Sequence, residues 1–220
     1  MISVTTGMPM AAFNPTFVVA APGDPASALE RVRAFHDRAG LAGEVNAWGD
    51  TAETIGDAAR SAGCVAGHRI ACMLLAPLET TPRATRDLEI RRVDDAVTLL
   101  TFNDVCAEAF GCDRQILAVL DDPRLLEVPG FAFHLGLVDG RAVGTVMTCC
   151  IDGVALIFNV ATRPSHRRRG IGEAMTWCAV NHGIDAGCEL AFLQASPDGL
   201  ALYERMGFRH VMEMATWRLA

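Results

Sequence analysis

Val154-Ala-Leu-Ile-Phe-Asn-Val160, followed closely by Arg167-Arg168-Arg169-Gly170-Ile171-Gly172, is the stretch whose reading decides the fold. The first part is a short apolar run of strand length, and the second is the start of a helix. Two glycines without Cβ let backbone N–H groups approach an anion closely, and the positive end of the helix dipole adds to the attraction. A strand feeding such a loop suits a pyrophosphate. The partner signal is Tyr203-Glu-Arg-Met-Gly-Phe208, which begins 31 residues after Gly172 and holds the single tyrosine of the chain.

Together these segments resemble the GNAT superfamily of acetyl-CoA-dependent N-acetyltransferases. The superfamily loop pattern Arg/Gln-x-x-Gly-x-Gly/Ala is met by Arg167, Gly170 and Gly172, and its later Tyr-x-x-x-Gly-Phe by Tyr203, Gly207 and Phe208. The stretch Val160-Ala-Thr-Arg-Pro164 is similar to the superfamily's strand exit, so the resemblance covers roughly residues 87–219. It carries weight because strand, Arg-rich loop, helix, strand and tyrosine helix follow in the superfamily's order.

Composition narrows the alternatives. A chain of 220 residues that is 51% apolar has ample material for a packed core, as one large domain or two small ones. No apolar run reaches the ~18 residues of a spanning helix, so no membrane role is expected. No Lys or Arg precedes Arg31, so the start lacks the charge of a secretory signal and a cytoplasmic setting is expected. The eight cysteines form no Cys-x-x-Cys pair and the six histidines show no ligand spacing, which argues against zinc and for reduced, buried thiols. All 19 basic residues are arginine, which removes lysine as a nucleophile and rules out a Gly-Lys-Ser/Thr phosphate loop. A net charge of -7 argues against a nucleic-acid surface, while one basic pocket in an acidic body suits a polyanionic cofactor and a cationic amine.

Polar, proline-bearing residues 77–87 read as a linker. Before it the pattern predicts strands at 17–21, 44–48 and 69–76 and helices at 25–39 and 51–62. After it come a strand at 88–93, helical stretches at 94–110 and 113–120, and strands at 131–138 and 142–151. Asp139-Gly140 and Asp152-Gly153 mark two tight turns, which make three antiparallel strands out of the segments 131–138, 142–151 and 154–160. A helix to about 183, a strand at 189–194, a helix at 197–206 and a final pair of strands complete the order. The fold class expected is α/β (α+β), a GNAT-like mixed, mostly antiparallel central sheet flanked by helices. Residues 88–220 form its transferase domain. Residues 1–76 read as a degenerate GNAT-like half-domain or an unrelated α/β extension: aligning Ser61-Ala-Gly-Cys64 with Arg205-Met-Gly-Phe208 puts Ala59 where Tyr203 stands, and no Gly-x-Gly precedes the helix at Pro25.

The resemblance implies acetyl-CoA as co-substrate and no metal. The N–H groups of residues 168–173 (Arg168, Arg169, Gly170, Ile171, Gly172 and Glu173) are expected at the pyrophosphate, with the forks of Arg167 and Arg168 adding charge-assisted contacts. The edge Val160, Ala161 and Thr162 is expected to pair with the pantetheine arm, beside a strand that splays away. Tyr203, with an ordinary pKa of ~10, is the expected acid for the departing thiolate. Ser196 either orients the thiol or a water, or caps the following helix. No carboxylate lies on 154–160, where Asn159 is the polar residue, so the base is sought in a water chain first, then in Glu108 or His134. His134 sits in an apolar run where a histidine is usually a satisfied core residue. The acceptor expected is an amine of a small molecule or peptide, handled by a monomer or homodimer. A non-catalytic acyl-CoA-binding module is the alternative reading.

Overall fold

The computed structural model describes residues 1–79 and 87–219, so 80–86, the middle of the expected linker, lie outside the described residues. Contacts divide the chain into Met1–Cys72 with Val211–Ala220, and Met73–His210. The final segment therefore clusters with the first unit, whereas the sequence reading grouped it with residues 88–220.

In the first unit β1 (Ile2–Ser3), β2 (Pro15–Phe17), α1 (Pro25–Ala39), β3 (Glu44–Trp48) and α2 (Gly49–Ser61) lead into β4 (Val65–Leu75). Strands β1 and β2 run antiparallel, β2 and β3 parallel. The expected strand at 17–21 is shorter and earlier: Val18 still donates to the Asn46 carbonyl at 2.9 Å, but Asp24 then caps a helix and ends the extended run. Helix α1 buries Ala28, Leu29 and Val32 against Val45, Ala47, Ile55, Ala59 and Trp217. His36 is also buried, its ring 3.1 Å from the Thr16 hydroxyl.

The second unit holds β5 (Glu89–Arg92), α3 (Ala96–Phe110), β6 (Phe131–Val138), β7 (Arg141–Ile151), β8 (Val154–Thr162), α4 (Ile171–Asp185), β9 (Leu190–Ala195) and α5 (Pro197–Arg205). The expected helix at 113–120 winds as a 3-10 turn, Arg114–Asp121, and a second such turn covers Pro123–Glu127. The sheet order is β9-β8-β7-β6-β5, antiparallel except for the β8–β9 pair. Both Asp-Gly turns form with all four central residues at positive φ, 50° and 75° at Asp139-Gly140 and 48° and 77° at Asp152-Gly153. That is the geometry whose twist matches a two-residue hairpin.

On one face α3 buries Leu99, Phe102, Val105 and Cys106 against Phe133, Leu135, Met147 and Ala161. On the other lies α4, so tightly that a Cβ on Gly144 would sit 2.7 Å from Ile171 and one on Gly136 2.8 Å from the Met175 sulfur. In place of the expected final pair of strands one strand forms, β10 (Arg209–Arg218), because nothing between those residues is a turn former; Met214 to Arg218 run antiparallel to Trp48 to Glu44.

Candidate active site

Strand β8 is regular from Val154 to Phe158, where it pairs with β7 from Ile151 back to Met147. The register then shifts. Ala161 faces Thr145 and Thr162 faces Gly144, so Asn159 and Val160 together oppose Val146. This is a β-bulge, and Asn159 takes φ 50°, a left-handed conformation that asparagine tolerates better than most residues. Thr145, buried in β7, pins it by donating its hydroxyl to the Asn159 carbonyl at 2.8 Å, with the Cys106 thiol of α3 3.3 Å from that hydroxyl.

The other edge of β8 opens at the same place. Its parallel pairs with β9 run from Val154–Leu190 to Ile157–Leu193, yet β8 continues to Thr162 and β9 to Ala195. The two strands diverge just before the bulged stretch, leaving the edge of Val160, Ala161 and Thr162 outside the β8–β9 ladder.

Helix α4 starts beside this divergence. Its N-cap is Gly170 at φ 77°, a region glycine enters freely, and this residue brings no side chain to cap the first turn. The first N–H groups of a helix have no carbonyl one turn back, so the start of α4 presents donors and a positive dipole end, with Glu173 as the acidic residue of the first turn. Arg168, at φ 63°, and Arg169 are exposed and make no hydrogen bond or ion pair among the described residues. Arg167 is used otherwise than expected: its guanidinium donates to the Ala109 carbonyl at 2.6 Å and to that of Thr162 at 3.4 Å. It thereby supplies a cation to the C-terminus of α3 and ties the loop to it.

Tyr203 of α5 is 7% exposed, with its ring edge-on to Phe208 at 5.8 Å. Its hydroxyl hydrogen-bonds Thr176 of α4, whose own hydroxyl donates to the Gly172 carbonyl at 2.8 Å. Burial raises the phenol above its ordinary pKa, only partly offset by that bond, so it is the protonated form at neutral pH. A Cβ on Gly172 would lie 3.6 Å from Leu202 and 3.8 Å from Thr162. The end of β8, the start of α4 and the tyrosine helix thus meet.

The remaining residues singled out by sequence lie elsewhere or are occupied. Ser196 caps α5, its hydroxyl accepting from the Gly199 N–H at 3.2 Å. Glu108 is ion-paired with Arg163, whose Nε also donates to the Ala142 carbonyl at 2.8 Å. His134 stands on β6 near His182, and its buried Nδ1 has no partner, contrary to the satisfied core residue expected. The sequence reading missed Thr176, although its place one turn after Gly172 puts it on the same helix face, and missed the Thr145–Asn159 lock, which no local signal announces.

Comparison with known proteins agrees with this fold. Residues 101–208 match the acetyltransferase (GNAT) family. Among solved structures, a GCN5-related N-acetyltransferase from Kribbella flavida superposes with a TM-score of 0.76 at 22% identity, over 96% of this chain and 83% of that one. A functionally unknown conserved protein from Staphylococcus epidermidis gives 0.70 at 15% identity, over 96% and 86%. A tandem GNAT protein from the clavulanic acid biosynthesis pathway gives 0.61 at 13%, over 88% and 67%. At these identities the likeness is one of fold. No curated protein matches the chain. Residues 101–208, 108 of the 220, are thus the part of the chain that matches an acetyltransferase (GNAT) domain.

Proposed function

We propose that this domain transfers an acetyl group from acetyl-CoA to a primary amine of a small molecule or peptide, by direct attack within a ternary complex. The observation that carries the reading is the divergence of β8 from β9 beside an uncapped helix start and the buried phenol of Tyr203. The N–H groups at the start of α4, with Arg168 and Arg169, hold the pyrophosphate. The free edge at Val160, Ala161 and Thr162 takes the pantetheine arm and offers an N–H to the thioester carbonyl, where charge develops.

The amine nitrogen forms a bond to the thioester carbon, the carbon–sulfur bond breaks with its electron pair going to sulfur, and Tyr203 protonates that sulfur. The amine proton leaves to water, since Glu108 is engaged by Arg163. Residues 1–76 act as a degenerate half-domain that shapes the substrate side or packs. The likeness of fold to a tandem GNAT protein and the sequence alignment that sets Ala59 in the place of Tyr203 support this. Eight free cysteines suit a cytoplasmic setting.

One observation favours a second reading, an acyl-CoA-binding module without turnover: the Tyr203 hydroxyl is committed to Thr176 and Glu108 to Arg163. Calorimetric titration of acetyl-CoA into wild type and Gly170→Glu, followed by thiol release against a panel of amines with Tyr203→Phe alongside, separates the two. Binding lost in the glycine variant and amine-dependent thiol release weakened by Tyr203→Phe support the transferase. Tight binding without release on every amine supports the module. No binding by wild type overturns both.

A further inference from the structure

The end of β7 and the turn after α4 bring two thiols together. Cys150 stands directly across from Ala155 in the β7–β8 register. Side chains so paired rise from the same face of the sheet, with their β-carbons about 5 Å apart. That face is the one under α4, since a Cβ on Gly183 would lie 2.6 Å from the Ala155 methyl carbon and 3.7 Å from the Cys188 β-carbon. The turn itself is fixed by its backbone. Gly187 takes φ 80°, the Cys188 N–H donates to the Gly183 carbonyl at 2.8 Å, and the Glu189 N–H donates to the Gly153 carbonyl at 2.8 Å. Ala155 and Gly183 contribute one methyl group between them, and beside it the Cys150 and Cys188 thiols stand within reach of a mutual hydrogen bond.

Few chemistries suit such a pair. A metal site of the usual kind does not, because among the described residues no three His, Cys, Asp or Glu side chains converge. Cys149 is no substitute for either partner: it follows the opposite face of β7, across from Phe131 and Leu156. Burial, reinforced by the contact with Cys188, pushes the Cys150 thiol up to about 12, so at neutral pH it is protonated and a poor nucleophile. That argues against a fast peroxide sensor. It leaves slow exchange with a small disulfide, in which the second thiol is already aligned for the closing step.

We propose that Cys150 and Cys188 form a reversible disulfide, with a small-molecule disulfide as the oxidant, that ties the end of β7 to the turn after α4. Cys150 is half-buried and Cys188 buried, so Cys150 reacts first. Its sulfur gives up a proton and attacks one sulfur of the small disulfide, whose S–S bond breaks and releases a thiolate. The Cys188 sulfur, deprotonated in turn, attacks the Cys150 sulfur, and the bond from Cys150 to the small molecule breaks to release a second thiolate. The two protons end on the two released thiolates, and two electrons pass from the protein to the small disulfide. The loop closed in this way, 150–188, contains all of β8 and α4. The link forms whether or not the domain turns acetyl-CoA over.

The test uses the full chain, equilibrated in buffers of oxidised and reduced glutathione at graded ratios, alkylated, cut after arginine and read by mass spectrometry. The expected product joins the peptide carrying Cys149 and Cys150 to the one carrying Cys178 and Cys188, with fragmentation placing the bond at Cys150 and Cys188, and dithiothreitol reverses it. Cys149→Ala and Cys178→Ala should keep the link, whereas Cys188→Ala should stop at a mixed disulfide of Cys150 with glutathione. The linked chain should unfold at a urea midpoint at least about 1 M above that of the reduced chain, because the closed loop restricts the unfolded state. No link at any glutathione ratio overturns the proposal, and so does a link between other cysteines. A linked chain with a lowered midpoint overturns it as well, since the bond would then form only by distorting the fold. Should Cys188→Ala fail to fold, the mapping and midpoints of the wild-type chain decide by themselves.

Discussion

Helices α1 and α4 are each fifteen residues long and each is laid against a sheet, but their first turns are built in opposite ways. Asp24 precedes α1, and its carboxylate accepts the Ser27 N–H at 3.1 Å, with Pro25 filling the next position. Gly170 precedes α4 and brings no acceptor. A carboxylate at a helix start satisfies the donors and repels other anions, while a glycine leaves both donors and dipole available. The same contrast recurs at the C-terminal end of each unit's pattern, where the first has Ala59, sealed in its core, and the second has Tyr203 bound to Thr176. In the function proposed above, an anion site is made by what is left out of a helix start, and a proton donor by one phenol in place of a methyl group.

Giving α4 the cap of α1 is the strongest way to break the comparison. Gly170→Asp should weaken acetyl-CoA binding by about a hundredfold, read by calorimetry, since a carboxylate takes the first-turn donors and repels the pyrophosphate. Next, Tyr203→Phe should lower kcat by about tenfold to a hundredfold while the Kd for acetyl-CoA stays unchanged, the pattern expected when a proton donor is removed. Thr176→Val, which removes the phenol's partner together with the bond to the Gly172 carbonyl, should fall between that variant and wild type in kcat. Removing the cap of α1 sharpens the contrast from the other side: Asp24→Ala should cost about 1 kcal/mol in a urea titration and leave acetyl-CoA binding unchanged.

The smallest effect is on acid stability. His134 has its pKa lowered from 6.5 to about 4 by burial, so the folded chain binds fewer protons there than the unfolded chain between those values. Stability from this group is complete above pH 6.5 and is lost as pH falls toward 4. His36 is lowered as well, chiefly by burial, with Asp37 opposing, so both units lose stability in the same direction. Urea midpoints measured across this range should decline with acid, and less steeply in His134→Gln.

Much of this architecture is legible without coordinates because its signals are local. Helix α1 and strands β3 and β6 begin and end where residues 25–39, 44–48 and 131–138 place them, since Asp24, Gly40 and the Asp-Gly turn punctuate the chain at those points. The helix start with Gly170 and the tyrosine helix are equally readable. What escapes depends on distant partners. Arg167 looks like a phosphate ligand in a loop of arginines, but its guanidinium reaches a carbonyl 58 positions away. Glu108 looks like a solvent-facing helix residue until Arg163 meets it. Asn159 reads as one more polar residue in a strand, and nothing beside it reveals that Thr145 will hold its carbonyl.

That held residue makes β8 a matter of counting. Phe158 lies across from Met147 and Ala161 across from Thr145, so an even and an odd position share the face that meets α3. Substitutions preserve the count, and a catalogue of point variants would leave this switch in phase untouched however many positions it covered. Removing a single residue at Asn159 would restore strict alternation, keep Ala161 on the same face across from Thr145 and let the end of the strand zip against β9. Between neighbours of this fold, the informative difference in this strand is therefore its length rather than its spelling.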